Sequence, residues 1–165
     1  MKSFIEYITE IQNLHEAGGQ DYWYNTKTKK FVRLGRGIHH VNQVVKTPKQ
    51  FGLTSPEIMD IVGVDSFGSL QSNIATWNVK LVKFLTKRHW ARVVSDGVDP
   101  DIEVQNIKDL RIVLKYHVDK IRSGLDTVTY DIHDTGSSGI INSPKAIDLF
   151  LKTGRINKSR LAAFR

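Results

Sequence analysis

Apolar residues recur at helical spacing in the first stretch of the chain, MKSFIEYITEIQNLHE. They repeat at intervals of three and four residues: Phe4, Ile8, Ile11 and Leu14. This spacing predicts an amphipathic helix over residues 3–16, which ends at the pair Gly18-Gly19.

The longest predicted helix lies in the middle of the chain, over residues 66–89. One stripe carries its large apolar residues: Leu70, Ile74, Trp77, Leu81, Phe84 and Leu85. Its lysines and Arg88 lie mostly off that stripe, so we expect one face to pack on the core and the other to face water.

The stretch DYWYNTKTKKFVRL predicts a β-hairpin between these two helices. Aromatic residues Tyr22, Trp23 and Tyr24 precede the turn, and Phe31 and Val32 begin the return strand. IHHVNQVVK then predicts a short helix before Pro48. In LTSPEIMDIVG, Thr54 and Glu57 have capping-box spacing, which predicts another helix start.

The second half alternates between strands and capped helices. Strands are predicted at ARVVS, around Ile102, at TVTYDIH and at GIIN. Asn106 is a predicted N-cap with Asp109 three residues on, and its helix keeps core spacing from Ile107 to Leu125. A last helix starts at Ser143-Pro144, runs through Lys152 and ends at Gly154.

Two strands followed by a helix occur three times, over residues 22–46, 91–124 and 128–153. NIKDLRIVL and SPKAIDLFL also superpose at an offset of 37 residues. The repeat is explained either by a duplication or by the general similarity of capped amphipathic helices that follow hairpins.

These elements predict an α+β fold, with small antiparallel hairpins or a sheet packed against four to five helices. We expect a helix or leader at 1–17, one domain at 18–153 with an alternative sub-boundary near residue 90, and a basic tail at 154–165.

The amino-acid composition excludes several kinds of functional site. The 165 residues are 40% hydrophobic and include no cysteine, which excludes disulfides, thiolate metal sites and a cysteine nucleophile. Apolar runs are short, so we expect no membrane partner. No motif indicates a cofactor.

The net charge of +7 is concentrated in two segments. Residues 21–53 carry +6 and the last twelve residues carry +4, whereas residues 1–20 carry −2. Clustered basic residues attract polyanions, which makes non-specific DNA the expected partner. The alternative is that these clusters are solvated surface.

The candidate nucleic-acid-binding residues are the basic residues of these two segments. They are Lys27, Lys29, Lys30, Arg33, Arg36, Arg155, Lys158, Arg160 and Arg165. The neighbouring Tyr22, Trp23 and Tyr24 either stack on bases or form the hydrophobic face of the hairpin.

No catalytic or metal site is assigned from the sequence. Adjacent His39-His40 do not have the spacing of a helical metal pair. Asp131 and His133 share one face of a strand, where they either bind a divalent ion or simply face solvent. Ser137-Ser138 lacks the context of a nucleophile, and we expect the acidic stretch DGVDPDIE to be a turn without calcium spacing.

The first ten residues, MKSFIEYITE, resemble the capsid-targeting leaders of internal head proteins in large tailed bacteriophages. Such leaders begin Met-Lys and end in an aliphatic residue, any residue and glutamate, here Ile8-Thr9-Glu10. In that family a prohead protease cuts after the glutamate. The resemblance implies cleavage between Glu10 and Ile11, although the apolar stripe continues past that point to Leu14. Residues 22–53 also resemble a type of small phage protein, and that likeness implies no activity.

The leading hypothesis from this resemblance is a non-enzymatic, DNA-proximal virion protein. It is expected in the host cytoplasm before assembly and then in the virion, in contact with DNA or with capsid proteins. One alternative is a phage binding module that acts on a host protein, as an anti-defence or takeover factor. Another is a hydrolase or nuclease that uses Asp131 and His133.

Overall fold

A computed structural model describes residues 21–34, 43–62, 70–95 and 99–156, with side chains omitted for 62 and 70–78. Six strands lie within these ranges: β1 Tyr22–Asn25, β2 Phe31–Arg33, β3 Trp90–Ser95, β4 Pro100–Val104, β5 Val128–Ile132 and β6 Ser137–Ile141. The helices are α1 Pro48–Phe51, α2 Ser55–Val62, α3 Leu70–Lys87, α4 Ile107–Tyr116 and α5 Pro144–Thr153, and α4 continues into a π-helical turn at His117–Ile121. The α+β fold class is confirmed.

All six strands belong to one sheet, in the order β2-β1-β3-β4-β5-β6. Because β1 pairs with β3, the sheet contains strands from both sides of residue 90. Neighbouring strands are antiparallel except β4 and β5, which are parallel. The sequence pattern predicted only antiparallel pairing, because periodicity identifies a strand but not its partner. The parallel pair is joined by α4, since a chain must cross over to bring two parallel strands side by side.

Local capping signals are confirmed in the described helices. The Asn106 side chain accepts a hydrogen bond from the Asp109 N–H, and the Ser143 side chain accepts one from the Ala146 N–H. Gly154 ends α5 in the left-handed conformation, at φ 72°. The hairpins β3–β4 and β5–β6 are therefore each followed by a capped helix, as the sequence predicted.

The sheet has a hydrophobic core on each face. One core packs beneath α4 and α5 and includes Tyr22, Tyr24 and Ile102. The other packs beneath the helices between β2 and β3 and includes Trp23 and Trp90. Because β1 is covered on both faces, its three consecutive aromatic residues point alternately into the two cores.

The helix predicted after Asn106 differs from the structure in the burial of its first residue and in the position of its end. Ile107 is 41% exposed instead of facing the core, because it is the first residue of α4 and lies beyond the end of β4. After Tyr116 the helix widens into the π turn, and Leu125 reaches the core from a loop.

Several predicted features lie outside the described residues. They are the N-terminal helix with Ile8, Glu10 and Ile11, the pair His39-His40, Arg36, and Lys158, Arg160 and Arg165. None of the helices that the structure describes is long and apolar enough to cross a membrane.

Candidate nucleic-acid interface

The turn between β1 and β2 is held rigidly by Asn25. Its side-chain oxygen accepts hydrogen bonds from the N–H groups of Lys27 at 3.0 Å and Thr28 at 2.9 Å. Lys29 adopts a positive φ of 64°, and its N–H donates to the Asn25 carbonyl at 2.8 Å. The side-chain bonds form an Asx-type turn, which fixes a backbone that carries three exposed lysines, Lys27, Lys29 and Lys30.

A buried carboxylate, Asp109, connects this turn to two helices. Asp109 is 5% exposed, and it accepts a hydrogen bond from the Thr26 hydroxyl at 2.9 Å. Its other oxygen lies 2.9 Å from His89 Nδ1. The Thr26 N–H also donates to the His89 carbonyl at 2.9 Å. The hairpin turn, the connection between α3 and β3, and the start of α4 therefore meet at Asp109.

This meeting point brings together basic residues that are far apart in the sequence. Lys87 and Arg88 end α3, and Lys108 lies in the first turn of α4. Arg88 is paired with Glu57 at 2.5 Å, whereas Lys87 and Lys108 are exposed. With the three turn lysines, six basic residues face two carboxylates, Glu57 and Asp109, which leaves a formal charge of +4 with His89 neutral.

Arg111, in the second turn of α4, contacts the end of α5. Its Nε donates to the Leu151 carbonyl at 2.9 Å, and its Nη2 donates to the Lys152 carbonyl at 2.7 Å. These bonds satisfy carbonyls at the end of a helix, which otherwise lack partners. Lys152 and Arg155 therefore lie beside the first turns of α4, and both are exposed.

We call this surface the basic strip. It consists of Lys27, Lys29, Lys30, Lys87, Lys108, Lys152 and Arg155. Arg33, at the other end of β2, is exposed on the same hairpin. Of the two predicted basic segments, the strip thus includes Lys27, Lys29, Lys30 and Arg155, whereas the exposed Lys46 and Lys49 lie outside it. No sequence pattern had indicated Lys87, Lys108 and Lys152, although each lies near the end of a predicted helix.

The three aromatic residues of β1 are not available for base stacking. Tyr22 and Trp23 are 0% exposed and Tyr24 is 4% exposed. Of the two alternatives for these residues, the hydrophobic face of the hairpin is the correct one. The signal was present in the sequence, since an apolar run without alternation is typical of a strand covered on both faces.

A second polar cluster crosses the sheet on the face opposite α4 and α5. Arg92, Glu103, Asp131 and Ser138 are successive cross-strand neighbours on β3 to β6. Glu103 accepts a hydrogen bond from Arg92 Nη1 at 3.0 Å and lies 3.3 Å from His133 Nε2.

Burial raises the pKa of Asp131 and of Asp101, and nearby carboxylates raise both pKa values further. A cavity of about 250 Å³ adjoins the cluster, lined by Glu103, Asp131, Ile132, His133, Gly136, Ser137 and Ser138. Asp131 and His133 both line this cavity, but His133 lies in the turn after β5 and contacts Glu103. Within the described residues, no group of three or more histidine, cysteine or acidic side chains could hold a metal ion.

The acidic stretch before β4 has a structural role at Asp99. Its Oδ1 accepts hydrogen bonds from the N–H groups of Asp126 and Thr127, both at 3.1 Å, and bonds from Thr127 and Asp126 lower the pKa of Asp99. Asp101 and Glu103 belong to β4 rather than to the loop. The hydrogen bonds of Asp99 therefore connect the loop before β5 to the start of β4.

Comparisons with protein-family models, with curated proteins and with solved structures give no match.

Proposed function

We propose that this protein binds nucleic acid through phosphate contacts of the basic strip and acts as a DNA-proximal bacteriophage virion protein. The observation that carries the binding proposal is the convergence of the hairpin turn, the start of α4 and the end of α5. Seven exposed basic side chains come from four segments of the chain that hydrogen bonds of Asp109 and Arg111 connect.

The chemistry of the basic strip favours binding without sequence preference. Six of its seven members are lysines, which act as point charges and do not read base edges through fixed, forked hydrogen bonds. Each phosphate that they neutralise releases counterions, so affinity should fall steeply as salt rises. The carboxylates beside the hairpin turn and the end of α3, Asp109 and Glu57, are engaged by Thr26, His89 and Arg88 and do not compete for the lysines there.

Replacing Lys27, Lys29 and Lys30 together by glutamine should lower DNA affinity at least about tenfold at about 50 mM salt. The slope of log affinity against log salt should become shallower by about 2, because up to three phosphate contacts are lost. Fluorescence anisotropy with a labelled oligonucleotide over a salt series measures both quantities.

A matched control removes the same charge elsewhere. Lys115, Lys120 and Lys145 are exposed and lie at the ends of α4 and α5 away from the basic strip. Their triple replacement by glutamine should leave affinity within about twofold of the wild type. Equal losses from the two triple variants would contradict a localised site, and no binding by the wild type would contradict the proposal itself.

The virion part of the proposal rests on the leader-like sequence MKSFIEYITE. Mass spectrometry of purified phage particles should detect the protein with Ile11 as its first residue. A virion copy that retains Met1 would contradict cleavage. Absence from particles, together with capture of a host protein by the tagged chain, would instead support a binding module that acts on the host.

A further inference from the structure

Phe31 is a partly exposed aromatic residue in the basic hairpin. It is the first residue of β2, an edge strand of the sheet, and it is 38% exposed. Lys29 and Lys30 precede it directly and Arg33 follows two residues later, all exposed. Its three aromatic neighbours on β1 are buried, so Phe31 is the aromatic residue of this hairpin that a ligand can reach.

The Phe31 ring is held in place by a buried set of rings. It stacks on Tyr22 with centroids 4.9 Å apart and planes inclined by 30°. Tyr22 in turn stacks on His117 at 5.9 Å and 9°, and the Tyr22 hydroxyl lies 2.9 Å from His117 Nδ1. The Phe31 and Tyr116 centroids are 6.2 Å apart. Phe31 therefore presents a preorganised ring, which loses little conformational entropy when another ring packs on it.

We infer that Phe31 stacks on an unpaired base and that the ligand of the basic strip is single-stranded nucleic acid. This inference rests on the proposed function, since the lysines must hold the phosphate backbone for a base to reach the ring. A single exposed apolar residue is ordinary on a protein surface. Phe31 differs because cations flank it in the sequence and because its ring stacks on buried rings.

The preference for a single-stranded ligand over a duplex follows from the accessibility of the bases. In a duplex the bases are paired and stacked on each other, so none is free to pack on a protein ring. In a single strand each base offers an aromatic face, and the phosphates next to it can follow Lys29, Lys30 and Arg33. Stacking of this kind tolerates any base, which agrees with the lack of sequence-reading groups in the strip.

The test compares a labelled 20-nucleotide oligothymidine with a 20-base-pair duplex, using the full chain and its Phe31→Leu and Phe31→Trp variants. Leucine keeps an apolar side chain at the edge of the core but removes the aromatic face. Phe31→Leu should lower single-strand affinity about tenfold and change duplex affinity less than about twofold. Phe31→Trp should keep single-strand affinity at or above that of the wild type.

A second measurement needs no substitution and therefore does not depend on the folding of a variant. Single strands with 5-iodouracil in place of thymine should photocrosslink to the wild-type chain, and mass spectrometry should locate the crosslink at Phe31. Crosslinks found only at other residues would overturn the inference.

The outcomes separate this inference from the proposed function. If Phe31→Leu leaves single-strand affinity unchanged while the lysine triple variant weakens binding, Phe31 does not stack and the basic strip still binds. Equal losses for single strand and duplex in Phe31→Leu would also overturn the stacking role. A wild-type chain that binds neither oligonucleotide would overturn both proposals.

Discussion

Lowering the pH from 7 to 4.5 should reduce the free energy of unfolding by about 2.5 kcal/mol through His117 alone. His117 is 1% exposed and lies in the π turn after α4. Burial, with a further contribution from the charge of Arg122, lowers its pKa from 6.5 to about 4. Its Nδ1 lies 2.9 Å from the Tyr22 hydroxyl, and its Nε2 is buried with no hydrogen-bond partner among the described residues.

The direction of the effect follows from where the proton binds. In the unfolded chain the imidazole gains a proton as the pH falls below about 6.5, whereas in the folded protein it stays neutral down to about 4. The unfolded state therefore binds more protons in this window, and stability is lost as the pH falls through it. Across the whole window the loss is about 3 kcal/mol.

Urea unfolding at several pH values between 7 and 4.5 measures this loss. The carboxylates with lowered pKa values, Glu57 and Asp99, lose their stabilising effect mainly below this range, because their ordinary values are 4.5 and 3.8. His117→Gln keeps an acceptor for the Tyr22 hydroxyl but does not titrate, so its stability should depend much less on pH. Parallel pH curves for the wild type and this variant would contradict a neutral, buried His117.

Asp109→Ala should lower the free energy of unfolding by about 3 kcal/mol. The carboxylate is buried and accepts hydrogen bonds from the hydroxyl of Thr26 and from His89 Nδ1. Alanine leaves both donors without this acceptor, and it separates the hairpin turn from the start of α4. The loss should therefore exceed that of an ordinary surface substitution, which is within about 0.5 kcal/mol.

Asp109→Asn is the matched variant for this position, because it preserves the volume and one acceptor oxygen. Its loss should be about half that of Asp109→Ala, and Asp148→Ala, at an exposed position on α5, should have little effect. Denaturant unfolding of the three variants provides the comparison. An Asp109→Ala protein as stable as the Asp148→Ala protein would show that Asp109 does not hold these elements together.

Asp109 also shows which contacts a sequence pattern can predict and which it cannot. As the third residue after the N-cap Asn106, it was predicted to take part in a local cap, and its N–H does donate to Asn106. Nothing in the local pattern indicated that its side chain would bond to Thr26, 83 residues away in sequence. Local hydrogen bonds depend on neighbours along the chain, whereas a buried carboxylate needs partners that only packing can supply.

The basic residues also differ in whether the sequence or the tertiary structure reveals their role. The sequence located the charge in the hairpin and the tail, because net charge is a property of composition. It gave no reason to group Lys87, Lys108 and Lys152 with them, since these lysines belong to helices with mixed charge. They join the strip because Asp109 of α4 contacts the turn after α3 and Arg111 of α4 contacts the end of α5.

By itself the sequence determined the class of the fold, the hairpins, the caps at Asn106 and Ser143, and the end of α5 at Gly154. These features depend on periodicity and on hydrogen bonds between residues close in the chain. Only the tertiary structure decided that β4 and β5 are parallel and that Phe31 remains partly exposed. Pairing and burial depend on which elements cover one another, and contacts between distant segments decide that.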